Sequence, residues 1–221
     1  DYLRDKQMLL LLDNFEQVIA GAPLVAELLS ACQHVKVLAT SREVLHLRGE
    51  YEHPVPPLAL PVPKRLQVAG ANLASAVSQF AAVTLFVERG RAVKPDFALT
   101  NDNATQVAEI CQRLDGLPLA IELAAARIKL LSPQAMLSRL SNRFALLTSG
   151  ARDLPARHQT LRGAIEWSYE LLDANEKNLF ARLGVFVGGC TLEAAEAVCG
   201  ANLPMDFLSG IESLVGKSLL R

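Results

Sequence analysis

Asp13 and Asn14 close one apolar run, Met8-Leu9-Leu10-Leu11-Leu12. Thr40, Ser41 and Arg42 close a second, Val35-Lys36-Val37-Leu38-Ala39. A carboxylate such as Asp13 can bind a magnesium ion directly or through its waters. A guanidinium fork such as that of Arg42 matches the oxygens of a phosphate, with the hydroxyls of Thr40 and Ser41 beside it. The two groups together carry the chemistry of metal and phosphate recognition. Plainer roles compete at each position. Asp13-Asn14 can cap a following helix, with Gln17 completing a capping box. Thr40 or Ser41 can cap another, with Glu43 in its first turn and Arg42 solvated. Having two such strand ends in one chain favours the phosphate reading.

The elements that must position these residues are short. The first apolar run is too short to span a bilayer and long enough for a parallel strand, which reads as continuous hydrophobics when buried on both faces. Between the two runs, Glu16 to Cys32 places Val18, Ile19, Val25, Leu28 and Leu29 at roughly helical spacing. Strand, helix, strand is a βαβ unit, right-handed by default, which brings both strand ends to one sheet edge. In open α/β sheets ligand chemistry gathers at that edge. Tyr51 to Pro63 then carries five prolines, which exclude a helix and suit an extended edge strand leading into a linker through Gly70.

The rest reads as helical. Leu73, Val77, Phe80, Val83 and Val87 form one stripe, and Val107, Ile110, Cys111 and Leu114 another. Lys94-Pro95-Asp96 separates them, and Thr100 or Asn101 can cap the second. Gly116-Leu117-Pro118-Leu119 reads as helix punctuation: Gly116 ends one helix in the left-handed conformation and Pro118 enters the first turn of the next. Ser132-Pro133 opens another helix by the same logic. After a loop from Thr148 to Pro155, Leu161 to Leu172 forms a helix. Asp173 and Glu176 then make a D-x-x-E cap, and Val185 to Gly189 reads as a short strand or turn. Helices Leu192 to Val198 and Met205 to Leu214 follow, and an extended piece starts at Gly216. Three helices and a terminal strand fit a winged-helix domain without its wing.

Composition narrows the class. The 221 residues are 51% hydrophobic and 20% charged, with a net charge of −1, so nothing pulls the whole chain toward nucleic acid or an acidic membrane. Cys32, Cys111, Cys190 and Cys199 are scattered without a CxxC pair and read as buried thiols in a reducing compartment. No segment reads as a signal peptide or a membrane span, and a soluble, cytoplasmic location is expected.

Leu10-Leu11-Leu12-Asp13-Asn14-Phe15-Glu16, Leu38-Ala39-Thr40-Ser41-Arg42-Glu43 and Gly116-Leu117-Pro118-Leu119-Ala120-Ile121-Glu122-Leu123-Ala124 occur in that order. In this the chain resembles the bacterial STAND-class, NB-ARC-like ATPases of large LuxR-type and AfsR-type transcriptional regulators. Arg157-His158-Gln159-Thr160-Leu161-Arg162, Trp167-Ser168-Tyr169 and Val185-Phe186-Val187-Gly188-Gly189 resemble the winged helix that follows in those proteins. The resemblance implies a mainly α chain with a partial α/β unit. Residues 1–63 would be the C-terminal half of a P-loop NTPase domain, 64–71 a linker, 72–150 a helical lid and 151–221 a truncated winged helix.

It further implies a cofactor, ATP or ADP with Mg²⁺, and roles for individual residues. Asp13 would be the Walker B carboxylate organising the metal, with Asn14 beside it at the catalytic position. Thr40, Ser41 and Arg42 would read the terminal phosphate. Gly116, Pro118 and Leu119 would form the turn whose proline packs on adenine. Asn14 stands where family members often carry a second acid, and an amide cannot act as a base. No Gly-x-x-x-x-Gly-Lys-Ser/Thr occurs in the chain, so the phosphate cradle is expected upstream of Asp1 and the polar switch motif of the wing beyond Arg221. The implied partners are adenine nucleotide, other domains of a parent chain, DNA through a separate effector domain, and further copies in a nucleotide-dependent assembly. ATP hydrolysis is implied for the parent, with this segment inactive alone.

Two other readings remain. Arg152, Arg157, His158 and Arg162 beside a helix-turn-helix could serve DNA. Against this, Glu166, Glu170, Asp173, Glu176, Glu193 and Glu196 oppose phosphate neutralisation. A degenerate scaffold that retains ADP and signals through protein contacts is the other.

Overall fold

The computed structural model describes residues 2–61, 72–140, 161–217 and 219–220. The linker at 64–71, the loop from Thr148 to Pro155, and Arg152, Arg157 and His158 lie outside the described residues. The described chain is mainly helical with a two-stranded parallel sheet. Packing divides it into two units, Asp1–Pro54 with Leu171–Arg221, and Val55–Glu170.

In the first unit, strand β1 (Met8–Leu12) pairs in parallel with β2 (Val35–Ala39), in a register running from Met8 opposite Val35 to Leu12 opposite Ala39. That register makes Asp13 and Thr40 neighbours at the C-terminal edge. The connection is not one helix. A 3-10 segment (Phe15–Gly21) with Val18 at non-helical φ −132° is followed by α1 (Ala22–Ala31). Pro23 explains the break, because its missing N–H and fixed φ belong in the first turn of a helix, not its interior. Burial of β1 on both faces is not found among the described residues: Leu9 and Leu11 are 62% and 65% exposed, and Leu38 on β2 is 55% exposed. The unbroken apolar run forms the strand, but burial needs covering layers, and the described residues supply none over these leucines.

The same unit contains a helical trio, α8 (Ala174–Leu183), α9 (Leu192–Cys199) and α10 (Phe207–Gly216), packed around Leu172, Leu179, Ala195, Cys199, Phe207 and Leu214. The D-x-x-E cap forms as read: Asp173 Oδ1 accepts from the N–H groups of Asn175 and Glu176, and Glu176 Oε2 accepts from the Asp173 N–H at 2.7 Å. Glu176 is buried and joins α8 to α10. Lys217 Nζ donates to both its oxygens at 2.6 and 2.7 Å, and the Ser213 hydroxyl donates to Oε1. Val185 to Gly189 is a turn without strand pairing, with Gly188 and Gly189 at positive φ.

The second unit is a helical bundle. The stripe from Leu73 to Val87 belongs to two helices, α2 (Leu73–Ser78) and α3 (Ala81–Val93), separated at Gln79-Phe80. Next come α4 (Asn101–Arg113), α5 (Pro118–Ala125), a 3-10 turn (Ala126–Lys129), α6 (Pro133–Arg139) and α7 (Leu161–Glu170). Of the two candidate caps, Thr100 is the one at α4, where it forms a capping box with Asn103, and Ser132 accepts from the Ala135 N–H at the start of α6. The core includes Phe86, Ile110, Leu114, Ile121 and Met136, all essentially fully buried. Each such side chain stabilises the fold by roughly 1.5–3 kcal/mol. The described residues of the proline-rich segment, 51–61, do not form an edge strand. Leu58 and Leu60 pack against this core, the Ala82 N–H donates to the Ala59 carbonyl at 3.3 Å, and Gln112 Nε2 donates to the Pro61 carbonyl at 2.7 Å. Residues 58–61 therefore form a strap on the bundle.

Candidate functional site

The C-terminal edge of the parallel pair is knitted by one threonine. The Thr40 N–H donates to the Leu12 carbonyl at 2.9 Å, continuing the ladder one residue beyond β2. The Thr40 hydroxyl donates to Asp13 Oδ1 and accepts from the Asn14 N–H at 3.0 Å. The Thr40 carbonyl accepts from the Phe15 N–H at 2.9 Å. Asn14 turns the chain sharply, at φ 55° and ψ 47°, a left-handed conformation that asparagine tolerates better than most residues. Asn14 precedes the 3-10 segment without any side-chain cap hydrogen bond, so the capping box with Gln17 does not form. Asp13 is exposed, and its carboxylate is oriented by a neighbouring strand, not by a helix start.

Ser41 and Arg42 follow Thr40 and are half-buried. No helix follows them among the described residues of that segment; Ser41 Oγ accepts from the Glu43 N–H at 3.2 Å, a local turn. The same loop is tied down by Glu50, whose two oxygens accept from the N–H groups of Leu45 and Leu47 at 3.1 and 3.0 Å. The structure thus brings Asp13, Asn14 and Thr40 into one hydrogen-bonded group, with Ser41 and Arg42 leaving from its edge.

Gly116, Pro118 and Leu119 belong to the second unit. Gly116 has φ +68°, and a Cβ there would lie 2.4 Å from the Leu58 carbonyl oxygen. The Gly116 carbonyl accepts from the Leu58 N–H at 2.9 Å. Glycine is required both for the left-handed turn and for this close approach. Pro118 is the first residue of α5, and Pro118 and Leu117 are exposed while Leu119 packs on the core. Punctuation and an outward apolar tip coexist at this turn.

One residue of the first group escapes a reading by motif. Glu16 stands in the first turn of the 3-10 segment, only 8% exposed, and its Oε2 is buried without a hydrogen-bond partner among the described residues. Its one sequence signal is a carboxylate three residues beyond a strand-ending Asp, where a solvated helix start is the ordinary expectation. The cysteines contribute no nucleophile at this edge. All four are free, and burial pushes the Cys111 thiol up to about 12, outweighing its backbone hydrogen bond. No group of three or more His, Cys, Asp or Glu side chains is placed to hold a metal among the described residues. No helix among them is long and apolar enough to cross a membrane.

Comparison with known proteins gives a consistent set of relatives. Proteins named "Putative HTH-type transcriptional regulator" in Mycobacterium bovis and in Mycobacterium tuberculosis are 42% identical over 222 residues, covering 99% of this chain and 23% of their own length. An uncharacterized protein of Mycobacterium tuberculosis is 42% identical over 201 residues, covering 90% of this chain and 46% of its own. The chain therefore spans about a quarter to a half of the relatives it matches. No protein-family profile matches it, and no solved structure does.

Proposed function

We propose that this chain is the magnesium-side and lid portion of an adenine-nucleotide switch within a longer transcriptional regulator. In this reading residues 1–63 are the C-terminal half of a P-loop NTPase domain, residues 72–150 a helical lid and residues 151–221 a winged helix. The observation that carries the reading is the Thr40 hydroxyl joining the Asp13 carboxylate to the Asn14 backbone N–H at the C-terminal edge of two parallel strands. That edge is where open α/β sheets bind ligands. The names and the greater length of the relatives support a regulator built from further domains.

The residues present fit magnesium bound with a nucleotide. Magnesium keeps several waters and takes one or two carboxylates plus phosphate oxygens, so a site with few protein ligands suits it. Bound magnesium would neutralise charge on the β- and γ-phosphates. Thr40 holds one oxygen of Asp13, and the Asp13 carboxylate would hold the metal directly or through its waters. Ser41 and Arg42 would meet the terminal phosphate, Arg42 through its fork. Asn14 orients by hydrogen bonding and takes no proton, which suits a slow switch better than a fast hydrolase.

Within this reading DNA contact falls to other parts of the regulator, because Glu166, Glu170, Glu193 and Glu196 are exposed on and around the C-terminal helices. The test uses the full-length protein carrying this segment. Asp13→Ala is expected to abolish magnesium-dependent turnover of ATP and Arg42→Ala to erase discrimination between ATP and ADP, measured by phosphate release and by titration of fluorescent nucleotides. Unchanged turnover in Asp13→Ala would show that Asp13 only shapes the strand end.

A further inference from the structure

The strap at residues 58–61 meets the bundle at three places far apart in sequence. The Leu58 N–H donates to the Gly116 carbonyl at 2.9 Å, the Ala59 carbonyl accepts from the Ala82 N–H at 3.3 Å, and the Pro61 carbonyl accepts from Gln112 Nε2 at 2.7 Å. Each bond meets a need of the helices beneath. Ala82 is the second residue of α3, where an N–H has no acceptor inside its own helix, and Phe80 at the N-cap makes no side-chain cap bond. The Ala59 carbonyl supplies that cap from outside. Gly116 lies so close under the strap that a Cβ would meet the Leu58 carbonyl at 2.4 Å. Gln112, about one turn before Gly116, ties the far end of the strap to α4.

The hold is light beside what lies under it. Leu58 and Leu60 are half-buried and Tyr51 to Pro56, leading in, are exposed. Val83, Phe86, Ile110 and Leu114 in the helices beneath are 0–2% exposed. Segments with few buried apolar contacts open before the core does, and they open as contiguous units. Proline makes this segment one unit. Pro56 and Pro57 precede Leu58 and Pro61 closes the strap, and each fixes φ and lacks an N–H. No main-chain hydrogen bond joins one strap residue to another, so nothing inside it breaks stepwise.

We infer that residues 58–61 are a latch on the bundle, whose release frees the α3 N-terminus, the end of α4 and the Gly116 turn in a single step. That step lies below the free energy of unfolding the helices. The conformation of the turn from Gly116 to Pro118 is then set by the docked strap as well as by the helices on either side. The latch involves no nucleotide and no metal, and it stands independently of the nucleotide switch.

Amide hydrogen exchange of the 221-residue chain, resolved by NMR at low urea concentrations, reads the latch directly. In the wild type the Leu58 and Ala82 amides are expected to share one opening constant with little dependence on urea, while core amides of α4 exchange only on global unfolding. Gln112→Ala removes the clamp at Pro61, and Gln112 is bonded to neither amide. The variant should raise both opening constants by a common factor of roughly 3–10-fold, the worth of one hydrogen bond. The Ala104 amide, bonded to the Thr100 carbonyl, should be unaffected. The wild-type comparison needs no variant: different opening constants for Leu58 and Ala82 overturn the proposal, as does exchange of both only with global unfolding. A Gln112→Ala chain with unchanged Ala82 protection also overturns it, because the contacts are then separate. So does one that fails to fold, because the strap is then part of the core.

Discussion

Gly116 shows how one residue can be fixed by two separate constraints. Gly49 and Gly116 both have positive φ, at +83° and +68°, but a Cβ at Gly49 meets open space, whereas at Gly116 it meets the Leu58 carbonyl at 2.4 Å. Alanine at Gly49 is expected to destabilise by about 1 kcal/mol, the conformational penalty alone. Alanine at Gly116 adds a backbone clash and should cost about 3 kcal/mol or more. Urea denaturation of the two variants checks the difference, and equal losses would mean that the strap moves aside freely. Gly116 and Pro118 were legible from the sequence because helix punctuation is local. The strap against Gly116 was not, because a carbonyl from Leu58 arrives through tertiary packing. Glu16 was illegible for a similar reason: its type is visible in the chain, but its burial depends on what packs over its turn.

At the scale of elements, the carboxylate joining α8 to α10 sets a pH dependence. Burial raises the Glu176 pKa, but the hydrogen bonds from Lys217, Ser213 and the Asp173 N–H outweigh it and leave the group below its ordinary value of 4.5. A depressed folded value means that the unfolded chain binds the proton more readily. The pair therefore contributes its full stability above about pH 4.5, and the contribution is lost as pH falls through the lower folded value. Glu176→Gln should flatten the acid limb of a plot of melting temperature against pH between 3 and 6, and an unaltered limb would place the acid sensitivity elsewhere. Lys217→Ala, which strands the buried carboxylate, is expected to cost about 3 kcal/mol. The caps at Thr100, Ser132 and Asp173 were readable because each needs only residues within one turn. The break before Pro23 and the division at Gln79-Phe80 were harder. In both, helical spacing of apolar residues continues across a change in chain direction, and periodicity alone does not register it.

At the scale of the molecule, the proposed nucleotide switch would depend on groups that this sequence does not contain. Backbone amides and the lysine of a glycine-rich loop supply much of the anion recognition in P-loop proteins, and no such motif occurs among the 221 residues. The 221-residue chain on its own is expected to bind fluorescent ATP or ADP more weakly than about 1 μM, and submicromolar binding in a fluorescence titration would overturn that expectation. Leu9, Leu11 and Leu38 are exposed on the two strands. A pair of parallel strands is stable inside a larger sheet with both faces covered, and rarely alone.

The strap has a mechanical meaning as well. Leu58 is bonded to Gly116 main chain to main chain, while three helices, α2 to α4, fill the sequence between them. Tension arriving along the polypeptide at Val55 therefore need not travel through those helices to reach the Leu117-Pro118 tip. The Leu58–Gly116 hydrogen bond offers a direct route, beside the bonds from Ala82 and Gln112 to the carbonyls of Ala59 and Pro61. Residues 55–58 and the Leu117-Pro118 turn are thereby neighbours in space although far apart in sequence.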